Sequence, residues 1–380
     1  MRGRSLYALV QQSIALESMS LSRSLRVVLL ALLLAIASLA ALAYLLAWHP
    51  AAREDVTPMC RAQAPQLQPG QALKVMTWNI QFLAGKRYVF WNDLPDATGP
   101  DEKPTAEDIA YTLDEVVRVI RDEAPDVLLL QDVDDGAIAT GYQDQQALLA
   151  ERLADLYPCS AQAFDWKSSF NPDPHVLGRV GRKLVTFSRF QIASAERLSL
   201  LHHEGIPLAR LFARQPALLH TQLAIRGGKT LNVLNTRLQR PRSKANDHPQ
   251  QQISVLEKHL ERLQAAHTPW LLGGDFGLLP LGQYPYLPEV LRRPYRANSE
   301  LNLLAARYPM IPSLPEASGA DQQNWYTHFP NDPRVNKPDR TLDYLFYSPS
   351  ISRLEAAVRS EDTLRISNHL PLTARLLLPH

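Results

Sequence analysis

Five polar side chains stand where apolar runs end. Asn79 closes Met76-Thr-Trp-Asn79, Asp132 closes Val127-Leu-Leu-Leu-Gln-Asp132, and Asp275 sits in Gly273-Gly-Asp-Phe276. Asp343 follows as Leu342-Asp-Tyr344 and His369 as Ser367-Asn-His369. Three carboxylates, an amide and an imidazole could together hold a hard cation, orient a water and move a proton. A carboxylate behind a histidine fixes the ring's tautomer and raises its basicity, a part Asp343 could play for His369 where the two meet. Taken one at a time, each is an ordinary turn residue at a strand end. The set, in this order and with these flanks, is far more specific.

These residues need rigid elements beneath them. Leu73–Ile80 and Val127–Val133 read as strands, rich in β-formers and apolar along their length. Between them Thr105 and Asp108 form a helix-starting pair, Ile109, Leu113, Val116 and Ile120 recur at helical spacing, and Pro125 follows as a stop. A second helix is expected over Gln143–Leu156, and a third through Ile253, Leu256, Leu260 and Leu263. Further strands fit Lys183–Ser188, Ala217–Ile225, Thr230–Leu234, Trp270–Phe276, Leu342–Ser348 and Pro371–Leu378. Many strands, few helices and long loops point to an α/β sandwich rather than a Rossmann sheet. No internal repeat interrupts residues 73–380, which read as one domain.

The chain has 380 residues, 46% hydrophobic and 21% charged, with a formal net charge of +2. This excludes a disordered, collagen-like or coiled-coil chain, a strongly basic nucleic-acid coat and an acidic tail protein. Residues 1–26 form a basic leader, with Met19 as an alternative start. Val27–Trp48 is a run of 22 residues without charge, long enough for a bilayer core. The basic flank predicts a single-pass signal anchor with its N-terminus cytoplasmic and the main domain exported. The alternative is a secreted chain, cleaved near Ala41-Leu42-Ala43. Residues 49–72, with Pro50, Pro58, Pro65, Pro69 and Gly70, read as a Pro-rich linker. Cys60 and Cys159 could bridge in an oxidising compartment or remain two thiols.

The five residues and their flanks resemble the endonuclease/exonuclease/phosphatase superfamily, the DNase I-like fold, over about residues 73–378. That resemblance implies a four-layer α/β sandwich, two mixed β-sheets flanked by helices, here with one N-terminal transmembrane helix. It also implies a divalent cation, Mg²⁺ or Mn²⁺, and attack of water on phosphorus. Asn79, Asp275, Asp343 and His369 take the catalytic positions. Asn79, Arg237 and His369 take the phosphate contacts, and Asp132 and Asn368 the metal positions. The implied function is a metal-dependent phosphodiester hydrolase acting on nucleic acid, a lipid head group or a small phosphoester. No protein partner is expected.

Departures from the family pattern set the expectation for activity. Asp132 replaces the usual Glu and withdraws the carboxylate by about 1.5 Å, one carbon–carbon bond. Arg237 stands where the family has His, Gly277 where it has Asn, and Asn368 where it has Asp. The family site carries four negative charges. Asp132, Asp275 and Asp343 with Arg237 leave two, which weakens the hold on a hard cation and favours a phosphate. Reduced turnover is expected, and a non-catalytic phosphate-binding protein on the same fold is the alternative. Arg237, Arg240, Arg242 and Lys244 make a basic run read as a solvated loop. Trp325, Tyr326, His328 and Phe329 either line a cleft or pack a loop.

Overall fold

The computed structural model of the chain describes residues 4–61, 64–94, 96–201, 211–239 and 248–380. Arg240, Arg242 and Lys244 of the basic run lie outside these. The early strands are β1 (Arg53–Val56), β2 (Met59–Cys60), β3 (Ala72–Asn79), β4 (Val127–Asp134), β5 (Cys159–Asn171), β6 (Gly178–Ser188) and β7 (Ile192–Ser199). They are followed by β8 (Ala217–Ile225), β9 (Lys229–Arg237), β10 (Trp270–Asp275), β11 (Met310–Ile311), β12 (Asp343–Tyr347), β13 (Ser352–Val358) and β14 (Leu372–Leu377). The longer helices are α1 (Arg4–Leu46), α2 (Ala106–Glu123), α3 (Gln145–Arg152) and α4 (His248–Ala265).

The strands form two mixed seven-stranded sheets, ordered β13-β14-β3-β4-β6-β5-β2 and β1-β7-β8-β9-β10-β12-β11. Period-two alternation sorts each strand into an inner and an outer face. Leu73, Val75, Val127 and Leu129 of one sheet meet Leu219, Val233, Leu271 and Leu345 of the other in a buried layer between the sheets. The opposite faces are apolar too and take the helices. Met76, Trp78, Leu128 and Leu130 pack against Ile109, Val116 and Ile120 of α2 and Leu149 of α3. Leu218, Leu234, Trp270 and Leu272 pack against Ile253, Leu256 and Leu260 of α4. The result is helix, sheet, sheet, helix: the four-layer sandwich.

Local chemistry sets the element ends. The Thr105 hydroxyl accepts a hydrogen bond from the Asp108 amide at 3.2 Å and caps α2, whose apolar positions fall on one buried stripe. Strand β5 and the first half of β6 were not expected, because charged Asp165, Lys167 and Arg182 interrupt their apolar pattern.

The segment 49–72 differs from the linker expected of it. β1 pairs with β7, β2 pairs with β5, and Leu67 is fully buried with a bridge to Ile225. Cys60 lies opposite Cys159 in the β2–β5 register, and the two form a disulfide. Edge strands of two to four residues, half-buried at alternate positions in β1 and exposed in β2, are too short to leave an apolar alternation in the sequence.

Backbone of α1 is helical through Leu46, and its stretch Arg23–Leu46, of mean hydropathy 2.7, buries nothing against the domain. It is long and apolar enough to cross a membrane. Its end is fastened to the sandwich: the Ser168 hydroxyl donates to Leu46 O at 3.2 Å, Trp48 meets Phe164 edge-on, and the Arg197 guanidinium lies 4.8 Å over the Trp48 ring.

Candidate active site

The alternation that fills the core also aims the polar strand ends. Asn79 follows Val75 and Thr77 on the inner face of β3, and Asp275 follows Leu271 and Gly273 on that of β10. Asp343 opens β12 with the inward parity of Leu345, and Arg237 ends β9 with that of Val233 and Asn235. Where the apolar layer stops, these side chains converge between the sheets. The end of β10 needs glycine at 274: φ is +152°, and a Cβ there would lie 1.9 Å from the carbonyl oxygen of its strand partner Thr236.

Asp132 breaks this parity. It follows Leu130 and should face α2, yet it faces the rim. A bulge between Leu130 and Val133 shifts the β4–β6 register, and Asp132 takes φ +53°. A β-bulge re-aims one side chain while the strand continues.

One half of the site is a histidine dyad with an acid opposite. His369 Nδ1 lies 2.7 Å from Asp343 Oδ2, and its Nε2 lies 3.7 Å from Asp275 Oδ2. All three are buried. Desolvation raises the Asp343 carboxyl above the ordinary carboxylate range, with the His369 ring pulling the other way. The His369 backbone is itself held, its carbonyl accepting from Trp78 Nε1 at 2.9 Å and its amide donating to Ser367 Oγ. The Ser367 hydroxyl donates to Asn79 O, so the loop and β3 move as one piece. His328 stacks edge-on against His369, with ring centroids 4.9 Å apart.

Asn79 ties the two halves together. Its amide nitrogen donates to Asp132 Oδ2 at 3.2 Å and to Asp275 Oδ2 at 3.0 Å, while its oxygen accepts from the Gln81 amide. The Asp275 carboxylate also accepts from the Gly277 amide at 2.9 Å. Asn368 is held through its backbone, amide to Gln81 Oε1 and carbonyl to the Phe329 amide.

The other half is a guanidinium cluster. Asp132 Oδ1 accepts a hydrogen bond from Arg214 Nη2 at 2.8 Å; Arg237 Nε lies 3.1 Å away as an ion pair without a hydrogen bond, and Arg182 Nε lies 4.0 Å away. Arg214 Nη1 reaches Asp165 Oδ2 at 2.8 Å, and Arg182 Nε reaches Asp134 Oδ1 at 2.7 Å. Aromatic faces hold the planes: Arg182 lies 4.2 Å over Phe82, and Arg214 lies 5.4 Å over Trp166. Desolvation pushes the Asp132 carboxyl up, but Arg214, Arg237 and Arg182 outweigh it and hold it well below the ordinary value. Asp134 and Asp165 go the other way, raised by burial.

Asp134, Asp165, Arg182 and Arg214 are the site residues that sequence reasoning did not single out. Their one signal is charge inside otherwise apolar strands. They bring two charges of each sign, so the net charge expected from Asp132, Asp275, Asp343 and Arg237 is unchanged.

A divalent cation fits this donor set poorly. Both oxygens of Asp132 are engaged, one by guanidinium and one by the Asn79 amide. A second guanidinium shares Oδ1, so a cation at Asp132 would sit against two positive charges. Asp275, Asp343 and His369 do bring ligand atoms within 4.8 Å of one another. There Asn79 and Gly277 engage the Asp275 carboxylate and His369 engages Asp343 Oδ2, while Asp343 Oδ1 is buried without a hydrogen-bond partner, so a single unengaged carboxylate oxygen is what this group offers a hard cation.

Comparison with known proteins agrees with this architecture. The model of the Endonuclease/Exonuclease/phosphatase family matches residues 76–369. A solved endonuclease/exonuclease/phosphatase from Beutenbergia cavernae DSM 12333 shares 20% identity at a TM-score of 0.54, covering 81% of this chain and 72% of that one. The human Nocturnin catalytic domain with bound sulfate shares 18% at 0.49, covering 84% and 96%. A Bacteroides vulgatus protein of the same description shares 14% at 0.49, covering 81% and 99%. No curated protein matches the sequence.

Proposed function

The chain belongs to the endonuclease/exonuclease/phosphatase family, and from that membership we propose that it is a membrane-tethered, exported phosphoester hydrolase of reduced activity. The observation that carries this reading is the His369 ring, with Nδ1 at 2.7 Å from Asp343 and Nε2 facing Asp275 at 3.7 Å. With Nδ1–H donated to Asp343, Nε2 keeps the lone pair that can accept a proton. A water between Asp275 and a bound phosphoester donates one hydrogen to Asp275 and gives the other to Nε2. Its oxygen bonds to phosphorus, the bond to the leaving oxygen breaks, and the proton on Nε2 passes to that oxygen. Arg237 meets the negative charge that grows on the phosphoryl oxygens. Asn79 holds Asp132 and Asp275 apart at a fixed span.

No step of this chemistry runs through Mg²⁺ or Mn²⁺, since the oxygens of Asp132 are taken by arginine and by the Asn79 amide. Family members generally work with a divalent cation, and its loss from this position is the physical reason for the reduced rate. The apolar stretch of α1, its fastening to β5 and the Cys60–Cys159 bridge support export with retention at a membrane surface. Nucleic acid, lipid head groups and small phosphoesters remain the candidate substrates.

The test is turnover of a model phosphodiester, bis(p-nitrophenyl) phosphate, by wild type, Asp275→Asn and His369→Ala. Loss in both variants supports the reading, and equal rates in all three remove it. A second reading is phosphate binding without cleavage, supported by Arg237, which donates no hydrogen bond among the described residues, while the Asn79 amide hydrogens, given to Asp132 and Asp275, take no part in it. Binding of phosphate by a wild type that turns nothing over would select it.

A further inference from the structure

We infer that Arg182, Arg214 and Arg237 form a guanidinium cluster that replaces the divalent cation, with Arg237 taking a phosphoryl oxygen of the substrate in the absence of metal. The inference rests on the phosphoester reading of the cleft and adds which groups supply its positive charge.

The cluster is asymmetric, and the asymmetry points to a ligand. Arg214 is fully committed to carboxylates, one Nη on Asp132 and the other on Asp165, both at 2.8 Å. Arg182 is committed through Nε to Asp134. Arg237 is different. Its nearest carboxylate contacts are ion pairs through Nε, at 3.1 Å from Asp132 and 3.7 Å from Asp275, and, unlike Arg182 and Arg214, it donates no hydrogen bond to any acceptor among the described residues. Its Nε is buried, so the 17% exposure of the side chain belongs to its other atoms. A guanidinium presents its Nη pair as a planar fork that matches two phosphate oxygens.

The electrostatic surroundings agree. Desolvation, and next the Arg214 charge, weigh on the Arg237 cation more than Asp132 and Asp275 relieve it, and its pKa is lowered. An incoming anion would restore that balance. A purely structural ion-pair network would not leave its rim member short of acceptors while Arg214 takes two. The carboxylate that the family pattern assigns to the cation holds the base of this fork instead.

The experiment is titration calorimetry of inorganic phosphate into the detergent-solubilised full chain, first in EDTA and then with Mg²⁺ in excess. Phosphate heat in EDTA is expected, with affinity moved less than twofold by Mg²⁺. Arg237→Ala should weaken binding at least tenfold and Arg237→Lys by an intermediate factor, with the thermal melt of each variant reporting its folding. Arg237→Ala tests the rim alone, because Arg214 and Arg182 keep Asp132, Asp134 and Asp165 paired. Heat that appears only with Mg²⁺ overturns the inference and leaves the hydrolase reading standing. Binding in EDTA that survives Arg237→Ala unchanged overturns it as well. No phosphate heat under either condition overturns both.

Discussion

Arg214 Nη2 lies 2.8 Å from Asp132 Oδ1, the same oxygen that Arg237 Nε approaches at 3.1 Å. The carboxylate is nearly buried, so two cations and one anion share a space from which water is largely excluded. Removing one partner of such a network leaves the others uncompensated. Arg214→Ala strips the pairing from Asp165 and half of it from Asp132, and should destabilise the fold by about 3–5 kcal/mol. Urea unfolding followed by circular dichroism measures this. A change below about 1 kcal/mol would mean that the cluster is solvated and only loosely held.

The dyad makes a separate prediction. Asp343→Asn exchanges an acceptor for an amide that can donate to Nδ1, which turns the ring's proton toward Nε2. His369→Ala removes the ring. Each should lower kcat by about 10²–10⁴ with a smaller effect on KM, the range of a lost proton-transfer group. Steady-state kinetics on the model phosphodiester distinguish this from a binding defect, which would appear in KM alone.

Stability should fall in mild acid because of His259, a residue of α4 far from the cleft chemistry. Desolvation, then the His220 ring 5.1 Å away and Arg262, lower its pKa to about 4, against the pull of Glu196. Unfolded, the ring titrates near ~6.5, so between these values the unfolded chain binds more protons. The contribution is complete above about pH 6.5 and is lost as pH falls toward 4, by up to ~3 kcal/mol. Unfolding free energies at pH 7 and pH 5 should differ less in His259→Gln than in wild type. An unchanged difference would place the titration elsewhere.

The Cys60–Cys159 bridge closes a loop with a sequence separation of 99. In the chain-entropy model that constraint contributes about 4–5 kcal/mol. Reduction, or Cys159→Ser, should lower the midpoint of thermal unfolding and free β2 from the sheet edge. Equal midpoints with and without reductant would contradict it.

Much of the site could be read from the sequence, for a definite reason. Asn79, Asp275 and Asp343 continue the alternation of Val75, Leu271 and Leu345, so a core-facing pattern already implies where its polar ends point. His369 follows a short Ser-Asn turn and is drawn in by Asp343. Asp132 was identified, but its partners were not, because its aim depends on a bulge and a positive φ that no periodicity records. Arg182 and Arg214 reach it from β6 and from just before β8, and their spacing in the chain encodes no contact. In the fold, long buried strands and the amphipathic helices were legible. The strands within 49–72 were not, since pairing at a sheet edge needs backbone groups rather than an apolar pattern.

The most direct measurement is the rate of phosphodiester hydrolysis by the purified full chain in excess EDTA against excess Mg²⁺. Where arginine takes the cation's part, the two rates should agree within about twofold, and both should fall by about 10²–10⁴ in His369→Ala. A rate that collapses in EDTA and returns with Mg²⁺ would contradict the replacement of metal by guanidinium.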